Sequence, residues 1–133
     1  HHVRLLLERG ADPETGRAAT GETPLHHAAT SNADDESIGA IFRTLLDAGA
    51  DPNATTNPGV GSINFMRDVR TRGETPLHRA AAFLSPGLIE ILVRAGARCD
   101  IVDANGDSPL SWASLHKRDD DVLRMLLYGE HRL

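Results

Sequence analysis

Histidine is the residue type in this sequence best suited to do chemistry, since the chain contains seven histidines. A histidine can transfer protons near neutral pH and is a common metal ligand. The adjacent residues Asp119, Asp120 and Asp121 would add carboxylate ligands. Three consecutive positions on a helix do not converge on one centre, however, so these acids are expected to stabilise a helix N-terminus. The sequence therefore predicts no metal site and no cofactor.

Motifs of known catalytic sites are absent from the sequence. It contains no glycine-rich phosphate loop, no His-Glu-x-x-His segment and no cysteine pair at metal-ligand spacing. It also lacks a G-x-S-x-G nucleophile elbow. The single cysteine, Cys99, cannot form an internal disulfide, which fits a reducing compartment. We therefore predict that this chain is not an enzyme and that it is intracellular and cytoplasmic, with the nucleus as the alternative.

The strongest pattern in the chain is an internal repeat. GETPLHHAAT at 21–30 recurs as GETPLHRAAA at 73–82 and, with drift, as GDSPLSWASL at 106–115. Glycine permits the backbone geometry of a turn. The following Thr or Ser can cap a helix whose first position is filled by Pro. The repeat thus predicts a turn and then a helix, with the capping and opening residues Thr23, Pro24, Thr75 and Pro76.

These segments resemble the ankyrin repeat family, whose unit of about 33 residues is a turn plus two helices marked by T-P-L-H-x-A. The family's second marker, Gly-Ala-Asp, occurs at 10–12 and 49–51. The resemblance implies an all-α solenoid of stacked helix-turn-helix units, with hairpin-like loops between repeats, that binds another protein or peptide. In the family the motif histidine bonds to the backbone and ties neighbouring turns together. That implies structural roles for His26 and His78.

Composition and charge argue against other partners. The net charge of −5 does not suit general nucleic-acid binding, which needs a basic surface. No apolar run approaches the roughly 18 residues of a membrane helix. Each repeat of a solenoid contacts only its neighbours, so a content of 40% apolar and 4% aromatic residues is sufficient. We therefore expect a monomer that binds neither nucleic acid nor membrane.

The repeat positions divide a single domain, residues 1–133, into four units. We predict a partial repeat at 1–14, which lacks its turn and first helix, and full repeats at about 15–50, 72–99 and 100–133. Together these units predict about seven helices, one from the partial repeat and two from each full one. Because an uncapped solenoid end exposes apolar surface, we expect the chain to be part of a longer protein.

An insertion lies between the first two full repeats, within about 53–72. In the family the loop between repeats forms a finger, which this insertion is expected to lengthen. Loops longer than a connection requires are often functional, although such a loop can also be disordered or pack on itself. The side chains that we expect to contact a partner here are Phe65, Met66, Arg67, Arg70 and Arg72.

A second set of candidate residues lies on the first helices, at the spacing that forms one helix face. In the family this face lines a concave groove together with the finger tips. Arg and Trp are enriched at binding hot spots, and the arginines favour a partner with an acidic segment and one or two apolar residues. The alternative for Trp112 and Phe83 is packing between repeats. The candidates on this face are His27, Arg79, Phe83, Trp112, Leu115 and His116.

Three interpretations of the function follow from the sequence. The leading one is a non-catalytic scaffold that binds a partner on the concave groove and the fingers. A second is a targeting or substrate-recruiting module of a larger enzyme whose catalytic domain lies outside this chain. A third is a structural spacer or a self-associating array.

Overall fold

The computed structural model describes residues 20–31, 33–59 and 71–131, which form six α-helices. None of these residues forms a β-strand, so the predicted all-α class is confirmed. The partial repeat at 1–14 lies outside the described residues. The helices are α1 (Pro24–Ala29) and α2 (Asp35–Asp47) in the first repeat, α3 (Pro76–Phe83) and α4 (Pro86–Arg94) in the second, and α5 (Pro109–Leu115) and α6 (Asp120–His131) in the third.

The Thr-Pro and Ser-Pro segments start the first helix of each repeat. Thr23 accepts a hydrogen bond from the His26 amide, and Thr75 accepts one from the His78 amide. The ring Nδ1 of each histidine accepts the amide proton of the capping threonine, at 3.1 Å and 3.0 Å. The two partners thereby satisfy each other's backbone amides. Ser108 caps α5 without this return bond, because the third copy of the motif lacks the histidine.

The helices pack in two rows. Helices α1, α3 and α5 form the row of first helices, and α2, α4 and α6 form the row of second helices. Each first helix also packs against the second helix of its own repeat. Alanines such as Ala29 and Ala81 are fully buried, which lets neighbouring helices approach closely. The core between the rows includes the fully buried residues Leu25, Phe42, Leu77, Ile89, Leu92 and Leu126.

The turns before the first helices are connected by backbone hydrogen bonds between successive repeats. The Asn57 amide donates to the Thr20 carbonyl at 2.7 Å, and the Ala104 amide donates to the Arg72 carbonyl at 2.7 Å. These bonds satisfy backbone groups that a loop would otherwise leave unpaired. They also fix each finger base against the next repeat, so the finger bases and first helices form one continuous face.

Three helices end in the same backbone motif. Gly49 follows α2 and Gly96 follows α4, with φ values of 95° and 102°. In each case the next amide bonds to the carbonyl five residues earlier, at 3.0 Å, which is the Schellman arrangement. The same arrangement follows α5, where Lys117 has a φ of 54° and Arg118 donates to the Ala113 carbonyl at 3.0 Å. A lysine therefore stands where this chain otherwise uses glycine.

Helix α6 continues to His131. Because glycine often follows the last turn of a helix, the sequence predicts an end at Tyr128 and Gly129, and the structure shows that this prediction is wrong. A glycine within a helix costs only about 1 kcal/mol relative to alanine, so Gly129 alone does not terminate α6.

Candidate protein-binding surface

Arg79 is buried, which corrects the expectation that its side chain faces a partner. The side chain is 0% exposed. Its Nη2 atom lies 2.8 Å from Oε2 of Glu22 in the first repeat, and its Nε atom donates to Oε2 of Glu74 at 3.1 Å. Its Nη1 atom donates to the His26 carbonyl at 3.2 Å. Because both carboxylates are also buried, Arg79 joins the first two repeats and does not contribute to the groove surface.

Trp112 is also buried, so its indole is not available to a partner. The indole Nε1 donates to Oδ2 of Asp103 at 2.9 Å. Its ring meets the ring of His78 edge-on, with the centroids 5.3 Å apart. Of the two alternatives for Trp112, the structure places it in the packing between the second and third repeats. The polar end of the indole is satisfied there, as burial of a tryptophan requires.

His26 and His78 occupy equivalent positions and bond to the following repeat. The Nε2 atom of His26 lies 2.9 Å from the Glu74 carbonyl, and that of His78 lies 2.9 Å from the Asp107 carbonyl. Since each Nδ1 accepts a backbone proton, each Nε2 must be the donor. Burial, helped by the charge of Arg79, lowers the pKa of His26 to about 3, and burial also lowers the pKa of His78. Both rings are therefore neutral at neutral pH, which suits a structural bond better than proton transfer.

Glu74 connects Arg79 to the base of the long inter-repeat insertion. Burial alone would raise its pKa, but the charge of Arg79 and hydrogen bonds from Thr56 and the Arg72 amide outweigh burial and lower that pKa. Oε1 of Glu74 accepts a bond from the Thr56 hydroxyl and another from the Arg72 amide at 2.9 Å. The ionised carboxylate thus holds the finger base to the start of α3.

The insertion leaves the described fold at Gly59 and returns at Thr71. The Gly59 amide donates to the Thr71 carbonyl at 2.6 Å, and the Thr71 hydroxyl donates to the Asn57 carbonyl. The two ends of the insertion are therefore held side by side at the finger base. The candidates Phe65, Met66, Arg67 and Arg70 lie outside the described residues, and their contact with a partner stays a prediction.

The exposed candidates meet at the carboxyl ends of α3 and α5. Leu115 is 68% exposed. Phe83 is partly buried and meets the ring of the exposed His116 edge-on, with the centroids 5.1 Å apart. We call Phe83, Leu115 and His116 the α3–α5 patch. The residues equivalent to Leu115 in the earlier repeats, Thr30 and Ala82, are each 5% exposed, so the repeat pattern alone does not reveal this exposure.

Two further candidates lie on the same row of helices. Arg72 is exposed just before α3, while Phe83 ends that helix. Since the helix rises about 1.5 Å per residue, its two ends are about 12 Å apart.

His27 is partly buried, and its Nδ1 lies 3.9 Å from Oε2 of Glu22. Burial lowers the pKa of His27, although the charge of Glu22 opposes the effect.

Sequence reasoning missed the structural roles of Glu22 and Glu74. The available signal was the acidic residue that directly precedes the capping threonine in both full copies of the motif. It also missed Arg118, whose guanidinium donates to the Ala81 carbonyl at 2.8 Å and to the Leu84 carbonyl. Arg118 therefore satisfies carbonyl groups at the end of α3 that have no partner within the helix.

Metal-binding clusters and membrane-spanning helices are both absent from the described residues. No group of three or more His, Cys, Asp or Glu side chains is placed to hold a metal ion there. Within the same ranges, none of the helices has the length and apolar content to cross a membrane.

Comparison with family models gives matches along most of the chain. The model described as "Ankyrin repeats (3 copies)" matches residues 58–132, and the model described as "Ankyrin repeat" matches residues 20–57. The first match alone extends over more than half of the chain.

Several similar proteins are much longer than this chain. Ankyrin repeat and SOCS box protein 16 of Mus musculus is 35% identical over 115 residues, covering 84% of this chain and 22% of that protein. Neurogenic locus notch homolog protein 2 of Homo sapiens is 32% identical over 147 residues, covering 96% of this chain and 6% of that protein. E3 ubiquitin-protein ligase KEG of Arabidopsis thaliana is 33% identical over 106 residues, covering 80% of this chain and 5% of that protein.

The chain thus spans 22% or less of each of these three relatives. The two rows of helices, the Thr-Pro caps and the histidine bonds between repeats agree with the family matches. Ankyrin repeats generally mediate protein–protein interaction and are generally non-catalytic. This chain belongs to the ankyrin repeat family.

Proposed function

We propose that this domain is a non-catalytic scaffold that binds a partner protein or peptide on the concave face formed by the first helices and the finger loops. The observation that carries the proposal is the α3–α5 patch. There the exposed Leu115 directly precedes His116, whose ring pairs with that of Phe83 between the ends of two adjacent first helices. Interfaces between proteins typically have an apolar, aromatic centre and a polar rim.

The partner chemistry that this face supports best is an acidic segment with one or two apolar residues. The exposed Arg72 lies at the finger end of the face, and Arg67 and Arg70 precede it in the sequence. Arg79 does not add to this positive surface, because its side chain is buried. The positive charge is therefore expected at the finger end, and the apolar contact at the far end of α3.

The separation of these two ends limits the partner segment. The ends of α3 are about 12 Å apart, and an extended chain advances about 3.4 Å per residue. An acidic residue and an apolar residue about four positions apart in an extended segment would therefore span the length of α3. Because Arg72 is exposed, its charge should speed association more than it deepens affinity, and salt should weaken this effect.

We further propose that the domain acts as a monomer inside the cell, in the cytoplasm or the nucleus. The observation in favour of a reducing compartment is that Cys99 is the single cysteine of this sequence and that it is buried.

A second candidate function is the recruitment of substrates to a larger enzyme. It is favoured by the similarity to a protein of Arabidopsis thaliana that is named an E3 ubiquitin-protein ligase. The matched region makes up 5% of the length of that protein. In such a protein the same concave face would bind the substrate, and the catalytic step would occur in another domain.

Affinity capture from cell extract tests the scaffold proposal. We expect the parent domain to retain specific proteins, identified by mass spectrometry, and the variant Leu115→Glu to lose them. The matched control is Leu127→Glu, since Leu127 is also exposed, at 43%, but belongs to the row of second helices. If neither the parent domain nor any folded variant retains a specific protein, the chain is a spacer. If Leu115→Glu retains the same proteins as the parent, the binding surface lies elsewhere.

A further inference from the structure

An open groove lies on the row of second helices, between α2 and α4. These two helices pack against each other. Two cavities of about 460 Å³ and about 380 Å³ share the lining residues Arg43, Gly87 and Ile91, so they form one continuous groove. Each volume falls in the range of about 300–1,000 Å³ that is usual for ligand sites. None of the residues of the α3–α5 patch lines this groove.

Two glycines open the groove, and the fold requires neither of them. Gly39 lies within α2 and Gly87 in the first turn of α4, and neither has a positive φ. A Cβ atom on Gly39 would lie 3.5–3.6 Å from its nearest neighbours, which include Leu88 and Ile91, and this is ordinary contact. A Cβ atom on Gly87 would meet nothing within 4 Å. A glycine inside a helix costs about 1 kcal/mol relative to alanine, so the chain loses stability where the groove is open.

The floor of the groove is apolar. Leu46, Leu88 and Ile91 line it from the two helices. Leu46 and Ile91 remain partly exposed even though they pack against the core. An apolar side chain from a partner would cover this surface and remove it from water.

The charges around the groove are unevenly distributed. At the start of α2, Asp35 and Glu36 line the groove, are exposed, and make no ion pair with any described residue. At the other end, Glu90 is paired with Arg94 at 2.9 Å. The remaining charged lining residues, Arg43 and Asp47, offset each other in sign. The excess charge is therefore negative and lies at the Asp35–Glu36 end.

We propose that this groove binds a basic and apolar peptide segment of a partner. An aliphatic or aromatic side chain of that segment packs over Gly87 against Ile91, and a Lys or Arg faces Asp35 and Glu36. The concave face prefers an acidic partner segment, so the two surfaces differ in the charge they select. The domain can then hold two different segments at once, one on each row of helices.

Selection from a library of short random peptides displayed on phage tests the groove. We expect the parent domain to enrich peptides in which a Lys or Arg lies close to a Leu, Ile or Phe. Filling the groove with Gly87→Leu should weaken binding of the enriched peptides by about tenfold or more, equivalent to about 1.4 kcal/mol. The melting temperature should not fall, because the added side chain meets open space next to the position.

Two further variants separate the groove from the concave face. The double variant Asp35→Lys, Glu36→Lys should lose the basic peptides and gain acidic ones. Leu115→Glu should bind the enriched peptides like the parent, whatever it does to partners of the concave face. The groove proposal is overturned if no basic and apolar peptides are enriched, if the enriched peptides tolerate Gly87→Leu, or if Leu115→Glu abolishes their binding.

Discussion

The guanidinium of Arg79 lies 2.8 Å from the carboxylate of Glu22 across the boundary between the first and second repeats. Arg79 belongs to α3, whereas Glu22 precedes α1, so the pair connects two repeats. Glu74 completes the cluster from the side of the second repeat. All three side chains are almost fully excluded from water. An unpaired charge in such a buried position is very costly.

Removing the positive charge of this cluster should strongly destabilise the domain. We expect Arg79→Ala to lower the free energy of unfolding by about 3–5 kcal/mol, because it leaves two buried carboxylates without a counter-charge. Urea unfolding followed by circular dichroism measures the change. The control Arg72→Ala removes an exposed arginine and should change stability by about 0.5 kcal/mol or less. A loss below about 1 kcal/mol for Arg79→Ala would contradict the assigned role.

Acid should destabilise the domain below about pH 6.5, the ordinary pKa of histidine. The pKa values of His26, His27 and His78 are lowered by burial in the folded state. As the pH falls, the unfolded chain therefore binds more protons than the folded chain. The stability that is fully present above the unfolded pKa is lost as the pH falls toward the folded pKa. The fully buried His26 and His78 each contribute a slope of about 1.4 kcal/mol per pH unit until they titrate in the folded state, and the partly exposed His27 contributes less because solvent screens it. The lowered pKa of Glu74 adds a loss in the same direction below about pH 4.5.

His78→Ala provides the control for this pH dependence. At neutral pH the variant should lose about 1–2 kcal/mol, because it removes the bonds to the Thr75 cap and the Asp107 carbonyl. Its stability should fall less steeply below pH 6.5 than that of the parent, because one neutral buried histidine is gone. Denaturant midpoints across a pH series measure both effects. A parent whose stability is flat from neutral pH to pH 5 would refute this account of the histidines.

Replacing the strained lysine after α5 should stabilise the domain. Lys117 has a φ of 54°, and the equivalent positions after α2 and α4 are glycine. We expect Lys117→Gly to raise the free energy of unfolding by about 1 kcal/mol, because glycine adopts this conformation without steric cost. The reverse change, Gly96→Lys, should lower stability by a similar or larger amount. If both substitutions shift stability in the same direction, the conformation of the backbone is not the cause.

The helices and their caps could be predicted from the sequence because the relevant interactions are local. Thr23 caps the helix that Pro24 opens, and the same holds for Thr75 and Pro76. Each of these signals lies within a few residues of the helix it starts. That is why two full copies and one drifted copy of a short motif were enough to place the first helices.

The binding face could be predicted only in part, because burial depends on residues far apart in the chain. Helical spacing places Arg79 and Trp112 on the same face as Leu115. Arg79 is buried because Glu22 supplies a carboxylate from the preceding repeat, and Trp112 is buried in the packing against His78 of the preceding repeat. Nothing in the local spacing of α3 or α5 indicates these partners.

The dissociation constant of a captured partner for the parent and for Leu115→Glu tests the central claim most directly. A charge in the centre of the α3–α5 patch should weaken binding by about tenfold or more, which corresponds to about 1.4 kcal/mol. The control Leu127→Glu should bind like the parent, with all three proteins equally folded by circular dichroism. Equal dissociation constants for the parent and Leu115→Glu would contradict the claim that the partner binds the face of first helices.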